Sequence, residues 1–355
     1  SPTHNGDRGR PVPSRVADLA ELEALLDPVR DAGRGVVALL PGGVISHEDV
    51  FALQRRVGRP FTWTALLTVK GFPYHEGVIA AHDAARAEGV EVWPQVSCRP
   101  LVFQMNLLEP FTLNTRPAFA ALMGVPVEQR TAAYRDPAWR EATWTELQGR
   151  RGGLPLNWPA LSVAESGARP DLVGRKVVDI AEERDVTPLD AMLDIALEDG
   201  LRSRFNSVVA NDDPDAIAWL LPRDDVLLGL ADSGAHVSQL CDACFATDLL
   251  GPWVRDREVM PLERAIHKLT AEPAGVYGLD DRGVVAEGKA ADLVVFDAAT
   301  IGPGPLRRVW DFPADGERLT ADAPTGVTHT LVNGVPIRID GEQVVLDRLP
   351  GVLLR

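Results

Sequence analysis

Three times in its first hundred residues this chain runs an amphipathic helix into a glycine and then into a short, wholly apolar strand. Apolar residues at Val16, Leu19, Leu22, Leu25, Leu26 and Val29 keep a helical period, Gly33 and Gly35 stop it, and Val36 to Leu40 follows as a buried strand. Ser46 to Val57, Gly58 and Phe61 to Val69 repeat the unit, as do Tyr74 to Glu88, Gly89 and Val90 to Val96. Strands without polar alternation are buried on both faces, and a helical crossover between them returns the chain to the same edge, so the rhythm specifies a parallel sheet covered by helices. Pro28 lies inside the first helical pattern and is expected to kink or end it.

The rhythm lapses between residues 99 and 170, a stretch rich in proline with Tyr134, Trp139, Trp144 and Trp158. So long an irregular excursion is expected to be either a lid over a site or an insertion packed on its neighbours. Helical units resume at Gly174 to Ala181 and at Thr187–Pro188, where threonine caps and proline takes the first turn. A strand at Phe205 to Val209, a helix capped by Asp213 and a strand from Val226 follow. Five strand starts (Val36, Phe61, Val90, Phe205, Val226) make more than half of an eight-stranded barrel and too few to close one. Beyond residue 279 the character becomes β-rich. Two short strands are expected around Gly288–Lys289, and Asn333–Gly334 between apolar alternations marks a hairpin.

The last apolar run, Val226, Leu227, Leu228 and Leu230, ends on Asp232, Ser233, Gly234 and His236. A carboxylate at the carboxyl end of a buried strand suits an active site, while Asp232 or Ser233 as the cap of the next helix is the structural alternative. Cys241 and Cys244 have the spacing of a redox pair, but no second pair accompanies them and Cys98 stands alone. No glycine-rich phosphate loop follows a strand, and no nucleophile elbow Gly-x-Ser-x-Gly occurs. A net charge of −15 disfavours nucleic acid and anionic membrane as partners. Three cysteines are too few for a disulfide framework, so a cytoplasmic protein is expected.

Two regions resemble a known family. Gly283 to Asp297 resembles the stretch that follows the barrel in metal-dependent amidohydrolases. Ala231 to His236, Trp253 to Arg257 and Lys268 to Pro273 resemble the D-aminoacylase (N-acyl-D-amino-acid deacylase) branch, as do Arg10 to Arg15, Pro94 to Val96 and Arg99–Pro100. The resemblance implies an α/β fold, the C-terminal part of a (β/α)8 TIM barrel over 1–278, with 99–170 as insertion or lid, and a small β-sandwich domain over 279–355. It implies a hydrolase of a small-molecule amide that uses metal-activated water. Asp232 would be general base and metal ligand, and His236, Ser233 and Arg99 would contact or support substrate. The cofactor implied is one zinc or other divalent ion.

The chain departs from that family in its histidines. No His-x-His pair occurs, and Leu39–Leu40 and Ala65, where strand-end histidines are expected, carry none. The remaining ligands are expected upstream of Ser1, with loop His4 as a further candidate. An N-terminal segment or a homo-oligomeric partner would then complete the barrel, and these 355 residues alone are expected to be inactive. A degenerate, non-catalytic scaffold is the alternative reading.

Overall fold

The computed structural model describes residues 10–149, 156–229, 231 and 234–354. Strands β1 (Val37–Leu39), β2 (Phe61–Thr64) and β3 (Val92–Val96) lie parallel, in the register Val37 to Phe61 and Thr62 to Trp93. Helices α1 (Leu19–Ala32), α2 (His47–Val57) and α3 (Tyr74–Ala87) precede them in turn. The signals that set these helices are local. Asp18 caps α1 by accepting from the Glu21 amide, and Ser46 with Asp49 forms a capping box on α2. Gly33 and Gly58 end the same helices at φ 62° and 65°, a conformation that costs glycine nothing.

Helix α1 continues through Pro28, so of the two expected outcomes the proline does not end it. None of its residues is buried, so the Ala24 carbonyl that proline leaves unbonded is free to take water. The main core lies between α2, α3 and the sheet, built on Val50, Phe51, Leu53, Phe61, Trp63 and Ile79. Each such side chain contributes about 1.5–3 kcal/mol on burial.

Residues 101–205 build a second core instead of adding to the first. Strand β4 (Leu101–Met105) and β5 (Ser162–Glu165) both pair antiparallel with β6 (Arg204–Ala210). Around this sheet lie α4 (Pro117–Ala120), α5 (Val127–Arg135), α6 (Pro137–Gln148), α7 (Val177–Arg184) and α8 (Pro188–Glu198). Met105, Phe119, Tyr134, Ile180, Met192 and Phe205 fill it. The strand expected to extend the parallel sheet at Phe205 is thus the middle of an antiparallel one. Its alternating burial suits either pairing, and the partner is decided by β4, which a period-2 pattern does not reveal. Helix α9 (Pro214–Leu220) then leads to β7 (Leu227–Leu228), which joins the parallel sheet beside β3, giving the order β1-β2-β3-β7. Four strands, not five, make that sheet among the described residues.

After α10 (Phe245–Asp248) a π-helical turn, Leu249–Arg255, carries Pro252. Helices α11 (Leu262–Leu269) and α12 (Ala271–Tyr277) lead into the β-rich end. There β8 (Leu293–Phe296), β11 (Val327–Val332), β12 (Val335–Ile339) and β13 (Glu342–Gln343) form one antiparallel sheet. Asn333 and Gly334 turn its hairpin at φ 48° and 78°, the pair of positive angles that an Asn-Gly turn supplies. A separate ribbon pairs β9 (Leu306–Phe312) with β10 (Gly316–Ala321). Only Leu293–Phe296 is a strand in the stretch where two were expected. Gly283 is wedged against Ala274 and the Thr270 carbonyl, away from any partner strand. No described helix is long and apolar enough to cross a membrane.

His82 of α3 is buried. It accepts a 3.2 Å hydrogen bond from the Trp63 indole at Nε2 and packs edge-on against Phe51 and His47. Burial, and then the neighbouring His47, lower its pKa to about 4 against weaker opposing contributions from the Val92 backbone and Asp225. Because the folded pKa lies below the unfolded value, the unfolded chain binds more protons between them. Stability is therefore complete above pH ~6.5 and is lost as pH falls toward ~4, by about 2–3 kcal/mol from this group. Urea unfolding at pH 7 and pH 4.5 is expected to show that loss, and His82→Gln is expected to flatten it. An equally steep decline in the variant would assign the effect elsewhere.

Candidate active site

The carboxyl ends of β3 and β7 meet at the edge of the parallel sheet. Gln95 pairs with Leu227 and Val96 with Leu228, and the Gly229 amide extends the ladder to the Val96 carbonyl at 3.0 Å. The Gln95 side chain lies across Gly229, where a Cβ would fall 2.5 Å from its Oε1, so this step of the strand has no room for a side chain. The Gln95 side-chain amide Nε2 donates to the Thr62 hydroxyl at 2.9 Å, which locks β2, β3 and β7 together just below their ends.

Asp232, Ser233 and His4 lie outside the described residues. His236 stands at φ 46°, in the left-handed region that histidine enters more readily than most side chains. Its ring packs against Phe111 at 4.2 Å and Phe103 at 5.6 Å, which with Val209 and Leu240 form a small apolar cluster of their own. The backbone then turns sharply, with the Gln239 and Leu240 amides donating to the His236 carbonyl.

Arg99, at the exit of β3, is held between two carboxylates. Its Nε donates to Asp242 at 2.8 Å and its Nη1 to Asp248. Burial opposes the charge on Arg99, but Asp248 and Asp242 outweigh it and raise the pKa above the ordinary arginine value. This ties the loop after His236 back to β3. Burial also pushes the Cys98 thiol up, and raises Cys244 to about 11, so neither is a ready thiolate. The Trp253 indole donates to the Cys98 carbonyl at 2.7 Å and anchors the π-helical turn to the same strand end.

Two further side chains organise this region. Asn211, fully buried and at φ 59°, donates from Nδ2 to the Ser97 and Arg99 carbonyls at 2.6 and 2.8 Å and accepts from the Thr68 amide at 3.1 Å. One amide thereby joins the loops after β2, β3 and β6. Lys268, 1% exposed, donates to the carbonyls of Arg223 and Val226 at 2.7 and 2.8 Å and to Glu272 at 2.9 Å. Burial lowers its pKa, with Glu272 acting against that. Lys268 opens one of the stretches that carry the resemblance, but the sequence marks neither it nor Asn211 as buried.

Among the described residues no three His, Cys, Asp or Glu side chains converge to hold a metal ion. The ends of β1 and β2 carry Leu39–Leu40 and Thr64–Ala65, which offer no side-chain ligand of that kind. The described donor set therefore does not fit a metal centre.

Comparison with known proteins agrees with the fold. The chain is similar to a crystal structure of N-acyl-D-glutamate deacylase from Bordetella bronchiseptica with zinc and a phosphonate inhibitor. That match has TM-score 0.52 and 21% identity, over 93% of this chain and 59% of that one. A D-aminoacylase structure described by its binuclear metal centre gives TM-score 0.55 at 20% identity, over 94% and 59%. In sequence, an N-acyl-D-glutamate deacylase of Alcaligenes xylosoxydans xylosoxydans is 42% identical over 109 residues, 31% of this chain and 20% of that protein. The chain thus spans well under two thirds of the relatives it matches. Its α/β fold is like that of these deacylase structures, and residues 180–338 match the amidohydrolase family model.

Proposed function

We propose that this protein hydrolyses the amide bond of N-acyl-D-amino acids, with Asp232 as general base. The observation that carries the reading is the amidohydrolase match over residues 180–338, the stretch that contains Asp232 and the strand leading to it. In the proposed reaction Asp232 takes a proton from water, and the water oxygen bonds to the acyl carbonyl carbon. The carbon–nitrogen bond then breaks as Asp232 returns the proton to the leaving amine, giving a carboxylate and a free D-amino acid. Ser233, His236 and Arg99 are proposed to support the substrate, Arg99 by fixing the loop through Asp242 and Asp248. One zinc or other divalent ion is proposed to accompany the site, with Asp232 as the ligand from this chain. Because the described residues form no centre for it, no step is routed through the ion.

The test uses the full-length protein with N-acetyl-D-glutamate, N-acetyl-D-aspartate and N-acetyl-D-leucine beside their L-enantiomers, reading amine release, together with elemental analysis. Release of amine from at least one D-substrate, with about one equivalent of divalent metal per chain, is expected. Metal-free protein that hydrolyses none of them would leave the scaffold reading in its place.

A further inference from the structure

The three residues after His236 are held in a way that the hydrolytic reading does not explain. Their carbonyls are taken in succession by three different parts of the molecule. The Leu319 amide of β10 donates to Val237 at 2.6 Å, and the Gln104 amide of β4 donates to Gln239 at 2.8 Å. Between them the Ser238 carbonyl receives Arg308 of β9 at 2.7 Å and Arg204 of β6 at 3.3 Å. Leu319 and Arg308 face each other across the β9–β10 ribbon, so one rung of that ribbon supplies both contacts.

Arg308 is itself fixed on every side. It donates to both oxygens of Glu165 on β5 at 3.0–3.1 Å and to Gln104 Oε1 at 3.0 Å, with Glu317 3.6 Å away. Arg204 donates to the Gln104 carbonyl at 3.3 Å and pairs with Glu317. Two buried guanidinium groups thus sit side by side between two carboxylates, neutral as a group. A planar, forked cation is needed here because a single ammonium cannot reach Ser238, Gln104 and Glu165 together.

We propose that the β9–β10 ribbon is a clamp for the loop that carries His236 and Asp232, with Arg308 and Arg204 as positioning residues. A loop clasped at three consecutive carbonyls is held within the narrow range of positions that catalysis tolerates. The ribbon lies 70 residues further along the chain from Ser238 and belongs to neither the parallel sheet nor the hairpin sheet. Its role on this reading is to hold the loop, not to touch substrate. The catalytic part of the inference rests on the proposed role of Asp232, whereas the clamp itself does not.

The experiment compares full-length wild type with Arg308→Lys, Arg204→Lys and the ribbon-surface control Arg307→Lys by hydrogen–deuterium exchange and by kinetics on N-acetyl-D-glutamate. Arg308→Lys is expected to speed amide exchange across 236–242 about tenfold while α7 and α8 remain protected. It is also expected to lower kcat about tenfold or more with KM within about twofold, since substrate binding is not what the clamp serves. Arg204→Lys should act in the same direction and stands in if Arg308→Lys fails to fold, and Arg307→Lys should change neither readout. Unchanged exchange at 236–242 in both clamp variants overturns the proposal. If exchange rises but kcat holds, the clamp stands and its catalytic role is refuted. If wild type hydrolyses no substrate, the functional reading fails and exchange alone decides the clamp.

Discussion

Asp232→Asn is expected to lower turnover of N-acyl-D-amino acids about 10³-fold while the melting temperature stays within about 2 °C of wild type. The carboxamide has the same shape as the carboxylate but accepts no proton, so it removes the base from the proposed reaction and little else. The surroundings favour that separation of effects. Gly229 and Val96 carry the ladder to the end of β7, and Val237, Ser238 and Gln239 are each bonded elsewhere, so the loop has supports on both sides independent of the substituted group. Retention of more than a tenth of wild-type kcat in the purified variant would remove Asp232 from the chemistry. A loss of activity accompanied by a large fall in melting temperature would instead mark it as a structural residue.

The second large effect is on stability. Lys268→Met is expected to destabilise the fold by about 3 kcal/mol, read from urea unfolding at pH 7. Lys268 is buried beneath the start of β7, and its ammonium satisfies the Val226 carbonyl and one oxygen of Glu272. Methionine fills similar volume but leaves both acceptors without that donor. The figure lies at the low end for breaking a buried ion pair because Arg264 still reaches Glu272 at 2.8 Å and the Arg223 carbonyl at 2.9 Å. Adding Glu272→Met to Lys268→Met is expected to recover part of the loss, since the carboxylate oxygen that lost its ammonium partner is then gone. A single variant within about 1 kcal/mol of wild type would show that the buried ammonium costs as much to desolvate as its bonds return.

What could be read from the amino-acid order was whatever depends on near neighbours. Ser46 with Asp49, Thr187 with Pro188, Asp213 before α9 and Asn333 with Gly334 declare their helix starts and their hairpin within four residues. The parallel units were legible for the same reason, because an apolar strand and an amphipathic helix differ in local period. The partner of β6 was not, since alternation at Phe205, Ser207 and Val209 serves any sheet with one buried face. At the candidate site, the acid after the last apolar run was visible, but the bonds that join the described residues of the region were not. Thr68 meets Asn211, Arg99 meets Asp242 and Arg308 meets Ser238 across 70 to 143 residues of chain. Such pairs leave no periodic trace. The expectation that Pro28 ends α1 erred in the opposite direction: Leu22, Leu26 and Val29 pack on the core but none of the helix is fully buried, so the lost helix bond is open to water.

The second core also bears on how the parallel sheet is completed. Strand β7 must find β3, although Gln95 and Leu227 are separated by the whole excursion. Bringing so distant a pair together is an entropic penalty that grows with the logarithm of the intervening length. The excursion removes most of it, because Leu101 pairs with Ala210 where β4 and β6 meet, so its two ends emerge side by side once it has folded. The chain that β7 then has to span shrinks from about 130 residues to about 20, which lowers the closure cost by about 1–2 kcal/mol. The antiparallel sheet is in this sense a splint, since it shortens the loop that the last parallel strand has to close.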